Sequence, residues 1–322
     1  MARRDLGSVF ACVVCLCATT MALGPATLDE VLSKLSVLEG RVRTFHPAGA
    51  EDRAGRMQQL MQDATSYYQA RTDTSLMVRL ALVGRAESAN INPPFAGLLP
   101  GASPGPTHTV VLPIGRGHAL DGVVRHVVQQ SDGLKRLGLS ADQLSDRFTE
   151  LATLHELGHR YARAGLDPTP GWYSEFVASY LAYSFLADRR AEDAAIWSMV
   201  CAAFVEHLRP YSRPSGDFHA GIAAGDYAWY LGSLQERVTG VHVRYGAGFL
   251  QRVKAVLDQR ESADDWEPIR RLLEQASPGF LKWSRQHHRA EPRALVDGVS
   301  SCDRAEPPLP KHESSISDAL CR

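Results

Sequence analysis

The sequence His155-Glu156-Leu157-Gly158-His159 lies near the middle of the 322-residue chain. In an α-helix, residues four apart share one face and lie about 6 Å from each other along the axis, so both imidazoles can reach one metal ion. Glu156 is turned about 100° away from His155 and would stand beside that ion, in the place of a general base. The alternative is an amphipathic helix with two surface histidines and a solvated glutamate.

The segment that precedes this motif favours the metal-site interpretation. Its apolar residues recur at helical spacing, so the histidines fall late on a helix that packs against a core. These residues are Leu144, Phe148, Leu151, Ala152 and Leu154. Gly158, inside the motif, would let another backbone approach this helix closely.

A third metal ligand is expected downstream, because a hydrolytic zinc site takes three protein ligands and keeps one position for water. A loop at 167–171 ends the motif helix, and a second apolar helical stretch begins at Trp172. Glu175 lies in its first turns, where a buried carboxylate needs a partner such as a metal ion. The alternative is a glutamate favoured there by the helix dipole. Asp167 and Asp188 are weaker rivals for the third position.

The two motifs together resemble those of the gluzincin metallopeptidases, and the closest likeness is to the poorly characterised bacterial peptidase MA-like group. The second motif reads Glu175-Phe176-Val177-Ala178-Ser179-Tyr180, and the likeness extends over roughly residues 76–285. The resemblance implies a zincin-like core in which His155, His159 and Glu175 bind one Zn²⁺ ion. It further implies that Glu156 is the base that activates a water for hydrolysis of a peptide or protein substrate.

Two departures from the gluzincin pattern limit what the resemblance implies. Many gluzincins have an Asp that orients a zinc histidine where this chain has Ser179. The orienting partner must therefore come from elsewhere or be weaker. The Gly-rich exopeptidase motif of the aminopeptidases is also missing, so their specificity is not implied, and both endo- and exopeptidase action stay open.

Hydrolysis also requires a hydrogen-bond donor for the oxyanion of the transition state. The segment 225–232 resembles the tyrosine-bearing segment that follows the zinc ligands in gluzincins. Tyr227 is the first candidate for the donor, and Tyr230 and His219 are the alternatives. Each of the three could instead be a core or interface residue. Arg116 lies between two glycines and could meet a substrate carboxylate, although a simple exposed loop arginine is the more usual reading.

The N-terminus predicts export from the cytoplasm. Arg3 and Arg4 precede an uncharged apolar run from Leu6 to Leu23, which is typical of a secretory signal at residues 1–24. We therefore expect a secreted or periplasmic protein with no stable membrane insertion after signal removal. An uncleaved N-terminal anchor is the alternative, since the run approaches the shortest length that spans a bilayer.

The composition is that of a globular protein, with 44% hydrophobic and 22% charged residues and a formal net charge of −1. The chain therefore lacks the basic field that would hold a nucleic acid. Cys201 lies in an apolar helical segment and is expected to be a buried free thiol. Cys302 and Cys321 flank a polar tail at 291–322 and could form one disulfide. The oligomeric state does not follow from the sequence.

The order of elements predicts an α+β fold, with a small mixed β-sheet lobe followed by a mainly helical lobe. Helices at 27–43 and at about 51–70 form an N-terminal helical segment, assigned to 25–74. The catalytic domain is assigned to 75–290, with strands at 75–83 and 107–114 separated by an irregular loop at 90–107. Pro113 removes a backbone donor, so we expect an edge strand there. That edge could pair with an extended substrate or could simply end the sheet.

Two functions are compatible with these patterns. The first is an exported zinc-dependent peptidase. The alternative is a zinc-binding module of the same fold that binds or stabilises without turnover, and Ser179 is its main support. A purely structural zinc, however, normally has four protein ligands that often include cysteine. Three ligands and no nearby cysteine are visible here.

Overall fold

The structure, a computed structural model, describes residues 27–84, 101–103, 108–166, 171–208, 224–262 and 265–287. The expected signal at 1–24, the tail at 291–322 with Cys302 and Cys321, and His219 lie outside the described residues. Within these ranges, no helix is both long and apolar enough to cross a membrane.

The strands form one mixed, five-stranded sheet in the order β1-β2-β3-β5-β4. They are β1 (Ser36–Leu38), β2 (Arg43–His46), β3 (Val78–Val83), β4 (Gly101–Ser103) and β5 (His108–Pro113). The strands β2, β3 and β5 run parallel to each other, and the outer strands β1 and β4 run antiparallel to their neighbours.

Helices make up most of the rest of the described chain. They are α1 (Leu28–Leu32), α2 (Glu51–Thr72), α3 (Ala119–Gln130), α4 (Asp132–Lys135), α5 (Ala141–Gly165), α6 (Gly171–Arg189), α7 (Ala191–His207), α8 (Ala224–Tyr245), α9 (Phe249–Asp258), α10 (Glu267–Ala276) and α11 (Phe280–His287). A single turn of 3₁₀-helix, Gly246–Gly248, joins α8 to α9.

The sheet separates a large apolar core from a small one, because side chains alternate between the two faces of a strand. Leu80 and Leu82 of β3 belong to the large core, which continues through α2 and the C-terminal helices. Ala81 and Val83 of the same strand belong to the small core under α1. The helices that carry the candidate site thus pack on one side of the sheet.

The α+β fold class is confirmed at this level, with a small mixed sheet followed by a mainly helical part. The strands expected at 75–83 and 107–114 are β3 and β5, and the helix expected at about 51–70 is α2. Cys201 is buried in α7 as a free thiol, also as expected.

The helix predicted at 27–43 is wrong beyond its first turns. Thr27 does cap α1 through a capping box with Glu30, but the helix ends at Leu32. The residues that follow form β1 and β2, and β2 pairs with β3 from beyond the next helix. The pairing between these distant strands prevails over the local helical pattern. It also joins residues from both sides of the expected domain boundary at residue 74 in one sheet.

The edge position expected for the strand with Pro113 also needs correction. β5 lies inside the sheet, because β4 pairs with its residues 109–111 from within the expected irregular loop. β4 is only three residues long, so its pairing with β5 stops at Val111 and does not reach Pro113. The missing amide donor of Pro113 therefore lies beyond the end of this pairing, where it breaks no β4–β5 hydrogen bond.

Candidate metal centre

The motif histidines are carried by α5, a helix whose start is fixed by its sequence. Ser140 and Gln143 form a reciprocal capping box at its N-terminus, which satisfies two exposed backbone donors. Leu144, Phe148 and Leu151 are fully buried along the next turns. The metal-binding motif therefore lies in the C-terminal half of a helix that is anchored in the large core.

The helix α6 crosses α5 at the motif itself. A Cβ atom at Gly158 would lie 2.7 Å from the carbonyl oxygen of Ala178 and 2.8 Å from its Cα atom. Real Cβ atoms do not approach backbone atoms this closely, so only glycine permits this crossing. The close approach brings Glu175, one turn before Ala178, against His155 and His159.

Three side chains meet at one point between these helices. His155 Nε2 lies 3.1 Å from Glu175 Oε2, and His159 Nε2 lies 3.4 Å from Glu175 Oε1. The Nε2 atoms of the two histidines are 3.0 Å apart. His155 and Glu175 are buried and His159 is partly exposed, so the three residues could hold a metal ion.

The spacing and chemistry of these donors fit a single metal ion. Three ligand atoms at about 2.1 Å from a tetrahedral ion would be about 3.4 Å apart, close to the separations observed. Burial alone would raise the pKa of Glu175, but the charges and hydrogen bonds of His159 and His155 hold that pKa well below its usual value. The carboxylate therefore stays negative and able to bind a cation.

Two serine hydroxyls orient the histidine rings from behind. Ser179 Oγ lies 3.1 Å from Nδ1 of His155, and Ser174 Oγ lies 3.0 Å from Nδ1 of His159. In a metal-bound site the ring proton would stay on Nδ1, so that each ring would donate to a serine oxygen and direct the lone pair of Nε2 toward the ion. Ser179 thus supplies the contact for which an Asp was expected. Ser174 was not predicted, although it directly precedes Glu175 in the sequence.

Glu156 lies beside the three ligands, as the sequence predicted, and it lines a small pocket with His155. Its side chain keeps part of its surface exposed. Burial, opposed by the charge of His155 and reinforced by that of Glu175, raises the pKa of the Glu156 carboxyl to about 7. A metal cation at the ligands would favour the ionised form.

Tyr227, on α8, reaches the same point. Its hydroxyl donates to Glu175 Oε2 at 3.0 Å and lies 3.4 Å from His155 Nε2. Burial, together with the charges of Glu175 and Glu156, raises the pKa of Tyr227 well above its usual value, so the phenol keeps its proton. Tyr230 is buried in the interior with its ring against Trp283. The structure thus brings the first expected donor, Tyr227, to the ligands.

The pocket beside Glu156 is small and apolar. It leaves about 20 Å³ for the centres of water molecules, which is room for about one or two waters. Apart from His155, Glu156 and Tyr227, its wall consists of Leu120, Phe148, Ala152, Trp197, Ala228 and Leu231. The candidate general base therefore faces apolar surface on one side and the metal ligands on the other.

Arg116, the arginine considered for a substrate carboxylate, is already paired. It lies 3.0 Å from Asp142, 3.5 Å from Asp146 and 3.6 Å from Asp121. These carboxylates belong to α3 and α5, so Arg116 joins the turn after β5 to both helices. Arg116 therefore has a structural role, and its partners are not the candidate metal ligands.

No protein-family model, no curated protein and no solved structure matches this chain. The resemblance to gluzincins thus remains an expectation from the two motifs.

Proposed function

We propose that this protein is an exported, zinc-dependent peptidase with a zincin-like core. The observation that carries the proposal is the convergence of His155, His159 and Glu175, with Glu156 beside them and the Tyr227 hydroxyl at the same point. Three protein ligands leave one coordination position open, as catalytic zinc sites do and structural sites do not. The extracytoplasmic location rests on the signal-like residues 1–24.

Zinc is favoured over other metals by the donor set. Two imidazole nitrogens and one carboxylate oxygen, in a tetrahedral spacing, are the ligands of many hydrolytic zinc enzymes. Calcium and magnesium prefer more numerous oxygen ligands, and neither takes two histidines readily. The two serine hydroxyls support the same assignment, because they hold Nε2 of both rings toward a single point.

The reaction that these residues support is hydrolysis of a peptide bond. A bound zinc ion would supply Lewis-acid chemistry, which polarises a carbonyl group and lowers the pKa of water to about 7. Glu156 accepts a proton from the attacking water at its carboxylate and delivers it to the leaving nitrogen. Tyr227 donates its phenolic proton in a hydrogen bond to the oxyanion. The apolar pocket wall covers one side of Glu156.

An extended peptide is the substrate form that the sheet favours. Among the described strands, β4 is the outermost on the side of β5, and it packs near α5. A peptide that adds to an outer strand gains main-chain hydrogen bonds that do not depend on its sequence.

Substitution of the general base tests the mechanism. We expect Glu156→Gln to retain one zinc per chain and to lose at least about 100-fold in kcat, because the amide cannot accept the proton of water. Zinc content is measured by elemental analysis, and cleavage by mass spectrometry of a peptide library. His155→Ala should lose the metal together with the activity.

The matched control is Glu236→Gln on the surface of α8, where the glutamate side chain is 76% exposed. This variant should cleave like the wild type. Full activity of Glu156→Gln would exclude Glu156 as the base, and stoichiometric zinc in His155→Ala would exclude that ligand.

A further inference from the structure

The pocket beside Glu156 has its exposed side at the candidate metal centre. Glu156 and Tyr227 are the two lining residues that keep part of their surface exposed, and the other lining residues are buried. His155, a candidate metal ligand, belongs to the same wall. A group that fills the pocket therefore contacts the candidate general base and one of the metal ligands.

Two aromatic rings of the pocket wall are held in place by their own contacts. The rings of Phe148 and Trp197 are stacked with their centroids 4.8 Å apart, and Phe148 also meets Phe204 edge to face. Trp197 Nε1 donates a hydrogen bond to Gln235 Oε1 at 2.8 Å. Because protein interiors are close-packed, rings fixed in this way do not move apart readily for a larger group.

The wall offers little to a polar side chain. Apart from the three residues of the candidate metal centre, the polar group of the lining side chains is the indole N–H of Trp197, and Gln235 already accepts its hydrogen bond. The other lining side chains are alkyl or aromatic. A hydroxyl or amide group in the pocket would lose its hydrogen bonds to water without replacing them, which is unfavourable.

The volume of the pocket restricts it to a small group. It has room for about one or two water molecules. A methyl group is about as large as one water, so the side chain of alanine fits and that of valine fills the space. The side chains of leucine and phenylalanine are larger and would have to push the packed wall apart.

We propose that this pocket selects a small apolar side chain, above all that of alanine, at one of the two substrate residues that flank the scissile bond. The inference rests on the proposed peptidase function, because the reacting carbonyl lies between those two residues. Leu231 lines the pocket from α8, three residues after Ala228. Its isobutyl side chain occupies space that a larger substrate side chain would need, so Leu231 is a residue that determines specificity.

Peptides that differ in a single residue test the selection. They carry Gly, Ala, Ser, Val, Leu or Phe at each flanking position in turn, and kcat/KM is measured with the zinc-loaded wild type. At one position, we expect the Ala peptide to exceed the Gly peptide about fourfold, because one methyl group is buried. It should exceed the Ser peptide at least about fivefold and the Phe peptide at least about tenfold. Equal values for Ala and Phe at both positions would overturn the proposal.

Variants of α8 assign the size limit to Leu231. Leu231→Ala should raise the ratio of kcat/KM for Leu peptides to that for Ala peptides at least about tenfold, because the pocket gains the space of three carbons. Leu231→Val, which removes one carbon, should shift the ratio in the same direction by a smaller factor, and it serves if Leu231→Ala does not fold. An unchanged ratio in a folded, zinc-loaded Leu231 variant would contradict the assignment.

The matched control is Leu234→Ala. Leu234 lies on the same helix and is fully buried, but it does not line the pocket. This variant should keep the wild-type ratio. The same change of ratio in Leu234→Ala and Leu231→Ala would show that loosened packing, rather than the pocket, determines the preference, and would overturn the proposal.

A binding measurement keeps this test separate from turnover. The zinc-loaded Glu156→Gln protein is titrated calorimetrically with the Ala and Phe peptides, and the Ala peptide should bind at least about tenfold more tightly. If the wild type cleaves no peptide, the proposed function fails, and this titration still decides the selection by the pocket. Equal affinities for the two peptides would overturn the selection even in a protein whose wild type is an active peptidase.

Discussion

Two hydroxyl groups hold the histidine rings of the candidate metal centre in a fixed orientation. Ser179 contacts Nδ1 of His155 and Ser174 contacts Nδ1 of His159. A serine hydroxyl positions the ring as an aspartate would, but it adds no negative charge to the site. His155 therefore has an orienting partner in Ser179, which is a hydroxyl group instead of the expected carboxylate.

Removal of the Ser179 hydroxyl should weaken metal binding. We expect Ser179→Ala to lower zinc affinity about tenfold, because His155 loses the partner that fixes its tautomer and ring plane. The affinity is measured by competition with a chromogenic chelator. Ser184→Ala is the matched control. Ser184 lies on the same helix as Ser179, and its Oγ atom lies 3.1 Å from Nδ1 of His242, a histidine outside the candidate metal centre. Equal zinc affinities of Ser179→Ala and the wild type would contradict the orienting role.

The shared face of His155 and His159 could be predicted from the sequence, because residues four apart on one helix are neighbours. Glu175 was expected from the apolar helical stretch that follows, where a buried carboxylate needs a partner. The place of Glu156 followed from the first motif, whereas Tyr227 was the first of three candidates suggested by the resemblance of segment 225–232 to gluzincins. Ser174 could not be predicted, since its contact depends on the crossing of two helices and on a rotamer.

The crossing of α5 and α6 at Gly158 sets the distance between the two histidines and Glu175. The long helices were predictable, because their apolar residues recur over many turns. The strands β1, β2 and β4 have three or four residues each and take their partners from distant parts of the chain. Local sequence patterns carry too little information to identify such short strands.

A methyl group at the helix crossing should damage the metal centre. Gly158→Ala would force α6 away from α5 at Ala178, so we expect a loss of about 1–3 kcal/mol in the free energy of unfolding. The displacement of Glu175 should also weaken zinc binding by at least about tenfold. Thermal unfolding and chelator competition measure the two effects.

Gly232 offers the matched control for this substitution. A Cβ atom there would collide with the carbonyl oxygen of Cys201, at a contact between α7 and α8. Gly232→Ala should therefore destabilise the fold while zinc affinity stays within about twofold of the wild-type value. Equal losses of zinc affinity in both variants would show that general destabilisation, rather than the α5–α6 distance, weakens the site.

The candidate metal centre lies in a molecule that has its own large apolar core. Both ligand helices are anchored in this core, through Phe148 and Leu151 of α5 and through Phe176 and Tyr180 of α6. A structural zinc module has no comparable core and depends on its metal to fold. The α+β class could be predicted from the order of elements, whereas the extension of the sheet across residue 74 could not.

Removal of the metal should therefore leave the protein folded. After dialysis against a chelator, we expect an unchanged far-ultraviolet circular dichroism spectrum at 25 °C and a melting temperature lowered by about 5–10 °C. Addition of zinc should restore both the melting temperature and the peptidase activity. Loss of the helical signal on chelation would instead favour the non-catalytic, structural role of the metal.

Trp197 forms part of the wall of the pocket that His155 and Glu156 also line. Its indole is fully buried, stacks on Phe148 with ring centroids 4.8 Å apart, and donates to Gln235 at 2.8 Å. A group that enters the pocket replaces water beside this rigid indole and changes the polarity around it. The emission of Trp197 is thus a built-in optical signal for occupancy, which lets binding be followed in an inactive variant without a label.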